Sequence, residues 1–376
     1  MTIIVTSIPS PYQVELFDAL AAHEPGLQAI YCSRRDRSRS WDDPVLRHDA
    51  VFLDETRDAE GELFCLTDSA KLVVFADYAA KPVRQAMRRR AAAGKPWCFW
   101  GERPGYHGVG WLGRTRRRIL LAALHEDDQV PIWGIGRWAV EGYRNEFGAR
   151  RAYYNIPYFS DLERFRAAST GRLEAAAVRI VYSGALTKRK GVDLLAKAFR
   201  RLAQARDNVT LSVIGGGPLR ALMQRILYPV APRVCFHDFV AWKELPILYA
   251  QGDVLCAPSR YDGWGLIVPE GMAAAMPVIA TDRIGSALEL LEPGKTGWRV
   301  RANDEDDLYR ALCQAVDVTP ERRREMGLTG QARAGAQDVV KGVQRFQRAV
   351  ESTLAVWRRS VTLSANAASA RAPIMH

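Results

Sequence analysis

A chain of 376 residues is long for a single core, and at 48% hydrophobic and 25% charged it has the composition of a globular protein. No apolar run reaches the about 18 residues of a membrane-spanning helix, and the opening MTIIVTSIPSPYQ lacks a basic leader, so it reads as a first strand and not a signal peptide. The formal net charge of +11 is uneven: residues 1–165 carry 23 basic and 22 acidic side chains, residues 166–376 carry 30 and 20. That surplus suits an anionic ligand in the second half, and by charge alone it would equally suit nucleic acid or an anionic membrane. The sequence offers no aromatic-laced basic groove and no recognised nucleic-acid module, which removes the first of those rivals. Six scattered cysteines (Cys32, Cys65, Cys98, Cys235, Cys256, Cys313) form no CxxC pair and predict reduced core thiols in a cytoplasmic protein.

Along the first half, short apolar runs at Ile3–Ser7, Leu27–Cys32, Leu72–Ala76, Trp97–Trp100 and Val130–Ile135 read as buried strands. Helical patterns such as Tyr12–His23 and Pro82–Ala93 lie between them. Arg114-Thr115-Arg116-Arg117-Arg118 then leads into Ile119–Leu124. Basic residues beside an apolar helix face fit docking on anionic lipid, and they fit a core-facing helix with a solvated start, which is the expectation preferred here.

The second half repeats the alternation. Val178–Ser183, Val209–Ile214, Val234–Phe236, Val254–Ala257 and Val278–Thr281 predict strands, and Val192–Gln204, Pro218–Tyr228, Lys243–Gln251 and Val268–Ala275 predict the helices between them. The alternation implies an α/β chain of two doubly wound Rossmann-like domains facing a cleft, with ligands at the carboxyl ends of the strands. The boundaries expected are 1–165, 166–345 for the ligand-binding half, and a C-terminal stretch 346–376, a helix packing back toward the first domain and ending in a frayed Ala- and Ser-rich tail.

Three strand-to-helix loops carry chemistry. Ser183-Gly184-Ala185-Leu186-Thr187-Lys188-Arg189-Lys190-Gly191 places a glycine, a helix start and three successive cations together, as a phosphate site would; a solvated basic loop explains it as well. Ile214-Gly215-Gly216-Gly217-Pro218 is a second glycine turn without the GxGxxG spacing. Asp262-Gly263-Trp264-Gly265-Leu266-Ile267-Val268-Pro269-Glu270 puts a carboxylate inside a first helical turn, where it can accept the two hydroxyls of a ribose. The amides of Gly265 to Val268 are offered to sugar hydroxyls or phosphate oxygens. An acidic helix start alone would not call for Gly-Trp-Gly before it. In Asp304-Glu305-Asp306-Asp307 the acids mimic a metal-binding DxD, but they read as a helix cap, and no metal is expected.

In order and spacing these pieces resemble the C-terminal domain of glycosyltransferase family 4, of the GT-B fold. The resemblance runs through SGALTKRKGVDLL, VIGGGPL, FHDFV, ELPILYAQGDVLCAPS, DGWGLIVPEGMAAAMPVIATD and PGKTGWRV. It implies a retaining, metal-independent transferase without a cofactor, moving a hexose from a UDP- or GDP-linked sugar to a saccharide or lipid-linked acceptor in cell-envelope or exopolysaccharide biosynthesis. The family's acidic pair, E-x7-E, is matched by Asp262 and Glu270, with Asp in place of the first Glu. By resemblance Glu270 binds the donor ribose, Asp262 lies beside the transferred sugar, and Lys190 binds the diphosphate. Gly184, Arg189, Gly215, Gly216, Val240, Gly265, Leu266 and Ile267 complete the donor set. The family's Arg five residues before the Lys is Ala185 here, so Lys188 or Arg189 would have to replace it.

In the first half, IPSPYQVELFDAL and VEGYRNEFGARRAYYNIPYFSDLERF resemble the start and end of the acceptor domain. Pro9-Ser10-Pro11-Tyr12 stands where many members have a glycine-rich loop. FWGERPGYHG places Glu102 where members carry a His near the reacting sugar, with Arg103 and His107 as further acceptor-side candidates. A loop histidine without a role is the plainer account of His107, and a salt-bridged loop residue competes for Glu102. Two alternatives remain: a degenerate nucleotide-sugar-binding protein, and a sugar-nucleotide epimerase on the same fold. Peripheral contact with an anionic membrane stays an open partner.

Overall fold

The computed structural model describes residues 1–35, 45–104, 111–170, 177–238 and 240–369, the last ten as backbone only. The chain divides into two compact units: among the described residues, those up to 157 and from 342 on form the first, and those of 158–341 the second.

The first unit holds seven parallel strands: β1 Thr2–Thr6, β2 Leu27–Tyr31, β3 Asp49–Phe52, β4 Leu72–Phe75, β5 Trp97–Gly101, β6 Ile132–Gly134 and β7 Tyr153–Asn155. Their order is β3-β2-β1-β4-β5-β6-β7. The central strands are buried on both faces, so β1 (TIIVT) and β4 (LVVF) are continuous apolar runs without alternation. The strands β3 and β7 were not expected; both are short, half-exposed edges, and the apolar run Ala50–Leu53 at β3 was passed over. From Gly342 on, the last helix belongs to this unit. Phe346 packs edge-on to Trp100 and Trp133, Trp133 Nε1 donates to Thr353 Oγ1 at 3.0 Å, and Trp357 Nε1 donates to the Trp97 carbonyl at 3.0 Å. That helix is Val339–Ser369, and the rest of the stretch expected to fray lies outside the described residues.

The basic segment after β5 departs from expectation. It forms the helix Trp111–Leu120, which buries none of its residues and leaves Trp111, Leu112 and Ile119 exposed. The core-facing role passes to the short helix Ala122–Glu126, where Leu121, Ala123 and Leu124 are buried. A break at Leu121, which has non-helical dihedrals, separates the two helices.

The second unit holds six parallel strands: β8 Val178–Ser183, β9 Val209–Ile214, β10 Val234–His237, β11 Val254–Ala257, β12 Val278–Thr281 and β13 Gly297–Val300, in the order β10-β9-β8-β11-β12-β13. One face is covered by helices Val192–Ala205 and Glu305–Asp317 through Leu195, Phe199, Leu202, Leu308 and Leu312. Each such side chain contributes roughly 1.5–3 kcal/mol relative to exposure. The other face carries Tyr249, Val268, Met272 and Met276, and Phe165 joins them against Tyr249 with ring centroids 5.1 Å apart. That burial is why the second unit begins at Tyr158 and not at residue 166. The chain leaves β8 toward β9 on one side and reaches β11 on the other, so the loops after β8 and β11 diverge at the sheet's switch point.

All six cysteines are free, but only Cys98 and Cys256 are buried, so the expectation of core thiols fails for Cys65 and Cys235, which are exposed. Among the described residues no helix is long and apolar enough to cross a membrane.

Candidate functional site

The loop leaving β8 is stitched to the loop leaving β9. Gly184 N–H donates to the Ile214 carbonyl at 2.9 Å, Leu186 N–H to Gly216 O at 2.8 Å, and Leu219 N–H to Leu186 O at 2.9 Å. Gly215 has φ +126°, and a Cβ there would stand 2.4 Å from Gly184 O. Its glycine is therefore a requirement of loop against loop, while a Cβ at Gly216 would meet nothing within 4 Å. Tyr182, at the end of β8, donates its hydroxyl to Ala185 O at 2.9 Å, and burial followed by the Asp262 charge pushes the phenol well up, so it stays a donor.

The cations that follow converge on one carboxylate. Lys190 Nζ donates to Asp262 Oδ2, and Arg189 Nη1 lies 3.9 Å from Asp262 Oδ1 while donating to Tyr261 O at 3.1 Å. Asp262 is 8% exposed and its backbone is pinned: its N–H donates to Arg283 O at 2.8 Å, and its carbonyl accepts from Gly285 N at 3.2 Å. Two cations sharing one acid leave this corner net positive. A third cation, Arg260, faces elsewhere. It forks onto Asp193 at 2.6 and 2.8 Å and donates to Lys188 O at 2.6 Å, and its amide donates to Arg189 O at 2.8 Å. Burial pushes the Asp193 carboxyl up, but the bonds and charge of Arg260, with nearby amides, outweigh it and hold the group below the ordinary carboxylate range. Arg260 thus clamps the loop that carries Arg189 and Lys190. Gly191 closes that loop at φ +70°, its Cα so near Pro258 that a Cβ would fall 1.9 Å from the carbonyl.

Glu270 lies inside the first turn of helix Ile267–Ala273 and is 3% exposed. Tyr249 donates to its Oε2 at 3.2 Å and is itself bonded to Ser183, the last residue of β8. Burial first, then Glu270, pushes the Tyr249 phenol well above its ordinary range, so Tyr249 is a permanent donor to the carboxylate. Gly265, at φ +81°, turns the chain into this helix; Leu266 stands at its cap and Ile267 is its first residue. Val268 N–H donates to Gly265 O at 3.2 Å, which removes it from the amides the sequence offered. Val240 packs beside Trp242 and Leu248 on the core that contains Tyr249 and Val268. The acids at 304–307 cap a helix: Asp304 accepts from Asp307 N–H at 2.8 Å.

Arg189 and Lys190 follow β8, and Asp262 and Glu270 follow β11, the loops in which the sequence put them. Sequence reasoning missed Tyr249, Arg260 and Asp193. Arg260 directly follows Pro258-Ser259, and that proximity to the Asp262 motif was the available signal. Glu102 and Arg103 belong to the first unit, after β5. Tyr143 donates to Glu102 O at 2.6 Å, and the Arg103 guanidinium stacks over Trp138 at 4.1 Å. His107 lies outside the described residues.

Residues 177–317 match the family model of glycosyl transferases group 1. That segment belongs to the group 1 glycosyl transferases. The match agrees with the resemblance read from its motifs. A GDP-mannose-dependent alpha-(1-6)-phosphatidylinositol monomannoside mannosyltransferase of Mycolicibacterium smegmatis is 29% identical over 243 residues, covering 60% of this chain and 62% of the relative. The alpha-D-kanosaminyltransferase of Streptomyces kanamyceticus is 26% identical over 149 residues, covering 39% and 38%. The chain thus spans less than two thirds of either relative's length. Among solved structures, Anabaena HepE in complex with UDP superposes with TM-score 0.75 at 17% identity, covering 94% of this chain and 100% of that one. The sucrose-phosphate synthase of Thermosynechococcus elongatus gives 0.72 at 18%, covering 94% and 99%. Around the group 1 segment, the fold of the chain is GT-B, two Rossmann-like units with parallel sheets.

Proposed function

We propose that this protein is a retaining, metal-independent glycosyltransferase that moves a hexose from a nucleotide-diphosphate sugar to a saccharide or lipid-linked acceptor in cell-envelope or exopolysaccharide biosynthesis. The observation that carries the reading is the gathering of Arg189 and Lys190 on Asp262, beside the switch point of β8 and β11. A diphosphate entering there meets two cations whose charge one carboxylate only half cancels, and it competes with Asp262 for the ammonium. The released Asp262 carboxylate then accepts hydroxyls of the transferred sugar. Glu270, one oxygen held by Tyr249, accepts the ribose hydroxyls.

In the reaction the bond from the anomeric carbon to the diphosphate oxygen breaks, its electron pair leaving with the diphosphate. The acceptor oxygen forms the new bond on the same face, and its proton passes to the departing diphosphate oxygen. No strong protein base is then needed, and Lys190 and Arg189 neutralise the leaving charge. Relatives point both ways on the base: one named above is GDP-mannose-dependent, and HepE was solved with UDP and with UDP-glucose. A second reading, a donor-binding protein without turnover, draws on Ala185, an exposed position where the resemblance implies an arginine.

The test is thermal stabilisation of the purified protein by UDP, GDP and ADP and by the corresponding nucleosides. One diphosphate is expected to raise the unfolding temperature, with the shift lost in Lys190→Ala and Glu270→Ala. Transfer from the matching sugar should persist in EDTA, and its kcat should fall on the order of 10²–10³-fold in Lys190→Ala. No shift with any nucleoside diphosphate at millimolar concentration would sink the reading. A shift without turnover on any acceptor would select the second one.

A further inference from the structure

The helix Trp111–Leu120 takes no part in the reading above, and the inference here does not depend on that reading. At about 100° per residue, Trp111, Leu112, Thr115 and Ile119 fall on one stripe, and Gly113, Arg117 and Leu120 on the opposite one. The structure turns the second stripe inward. Gly113, Arg117 and Leu120 are half-buried, and Arg117 Nε donates to both Glu146 oxygens, at 2.9 and 3.0 Å. Leu121 N–H donates to Arg117 O at 2.7 Å, and Leu121 and Leu124 are buried behind it, so the helix is rooted in the first unit.

The outward stripe is apolar and uncovered: Trp111 is 74% exposed, Leu112 66% and Ile119 64%. Arg114 and Arg118 border it on one side and Arg116 on the other, all exposed, and the helix contains no acidic residue. A run of apolar residues this exposed calls for a cover. A second copy of the same face would set arginine against arginine. A surface that is apolar within and anionic at its rim fits both features. We propose that this face docks on an anionic phospholipid surface. The stripe enters the boundary between headgroups and acyl chains, with the Trp111 indole at the headgroup level, and Arg114, Arg116 and Arg118 meet the lipid phosphates.

The experiment is co-sedimentation of the full chain with phosphatidylcholine vesicles, with and without phosphatidylglycerol, across a salt series. Binding is expected only with phosphatidylglycerol present, weakening as salt rises. The triple variant Arg114→Ala, Arg116→Ala, Arg118→Ala should bind on the order of 100-fold more weakly, at about 1 kcal/mol per arginine. The pair Trp111→Ser, Ile119→Ser should also bind more weakly while keeping the wild-type salt slope. Both variants change exposed side chains, so their unfolding temperatures should match wild type, which separates lost docking from lost folding. Equal binding to neutral vesicles, no binding at low salt, or a triple variant that binds like wild type would each overturn the proposal. Self-association of the wild type that disappears in the Trp111 and Ile119 variant would assign the face to a second copy instead.

Discussion

Both sheets place their central strand beside a switch point in the same order, yet the loops leaving β1 and β8 share almost nothing. After β8 come a glycine at φ +142°, three consecutive cations and a glycine at φ +70°, all before helix Val192–Ala205. After β1 come Ser7-Ile8-Pro9-Ser10, with no glycine and no charge, before helix Pro11–His23. The first loop is open to an anion. The second is closed on itself: Ser10 Oγ donates to Gln13 Oε1 at 2.6 Å, and Gln13 Nε2 reaches Thr6 Oγ1 at 3.5 Å, all three residues buried. One architecture thus offers the same crevice twice, and the residues of the loop decide whether it takes charge.

The largest effect that would sharpen this contrast is at Gly191. An Ala there needs a left-handed backbone, about 1–2 kcal/mol, and pushes a methyl into the Pro258 carbonyl, roughly 1–3 kcal/mol more. Gly191→Ala should therefore lower stability by more than about 2 kcal/mol, read as a lower denaturant midpoint, and weaken nucleotide stabilisation with it. Ser7→Ala, at the exposed start of the other loop, should stay within about 0.5 kcal/mol of wild type. Equal costs at the two positions would mean that the loops are not differently constrained.

Why one loop was legible in the sequence and much of its support was not follows from range. The strands β8, β9, β11 and β12 lie at the residues expected, because buried parallel strands are unbroken apolar runs. The edge strand β13, Gly297-Trp298-Arg299-Val300, mixes a glycine and an arginine into four residues and gives no such run. Within the site, Gly184, Lys190, Asp262 and Glu270 announce themselves by local spacing. Their partners do not: Lys190 and Asp262 are 72 residues apart, and Arg260 and Asp193 are 67 apart, so no window of sequence contains either pair. The segment Arg114–Leu124 was legible only in part, for a different reason: Leu121, Ala123 and Leu124 are buried as a core-facing helix requires, but Ile119 is exposed. The periodicity of helix Trp111–Leu120 is plain, but a stripe of Trp, Leu and Ile reads the same whether it faces a core or the outside, and only burial decides.

A smaller effect tests the closed loop. Ser10→Ala removes the hydroxyl that satisfies Gln13 and leaves a buried amide oxygen short of a donor, at a cost of about 1–2 kcal/mol. The same variant should leave stabilisation by a nucleoside diphosphate unchanged, because nothing in this loop carries charge. Loss of nucleotide stabilisation in Ser10→Ala, measured by the same thermal shift, would erase the distinction drawn between the two crevices.

The smallest effect concerns how the open loop is held. Asp193 keeps Arg260 in place, and Arg260 holds the Lys188 and Arg189 carbonyls. The Asp193 carboxyl is depressed below its unfolded value, so its contribution to stability is complete above the ordinary carboxylate range near 3.8 and is lost as pH falls through the lower, folded value. The Asp193 side chain is 18% exposed and its ion pair stays within reach of solvent, so after partial screening the contribution is a few tenths to about 1 kcal/mol. Wild type and Asp193→Asn should therefore differ by that amount at pH 7 and converge in strong acid, once Asp193 in the wild type is protonated. A gap that stays constant down to low pH would show that the asparagine costs packing and not charge. Arg260 would then be fixed by its backbone bonds, and the cationic loop would need no acid behind it to stay open.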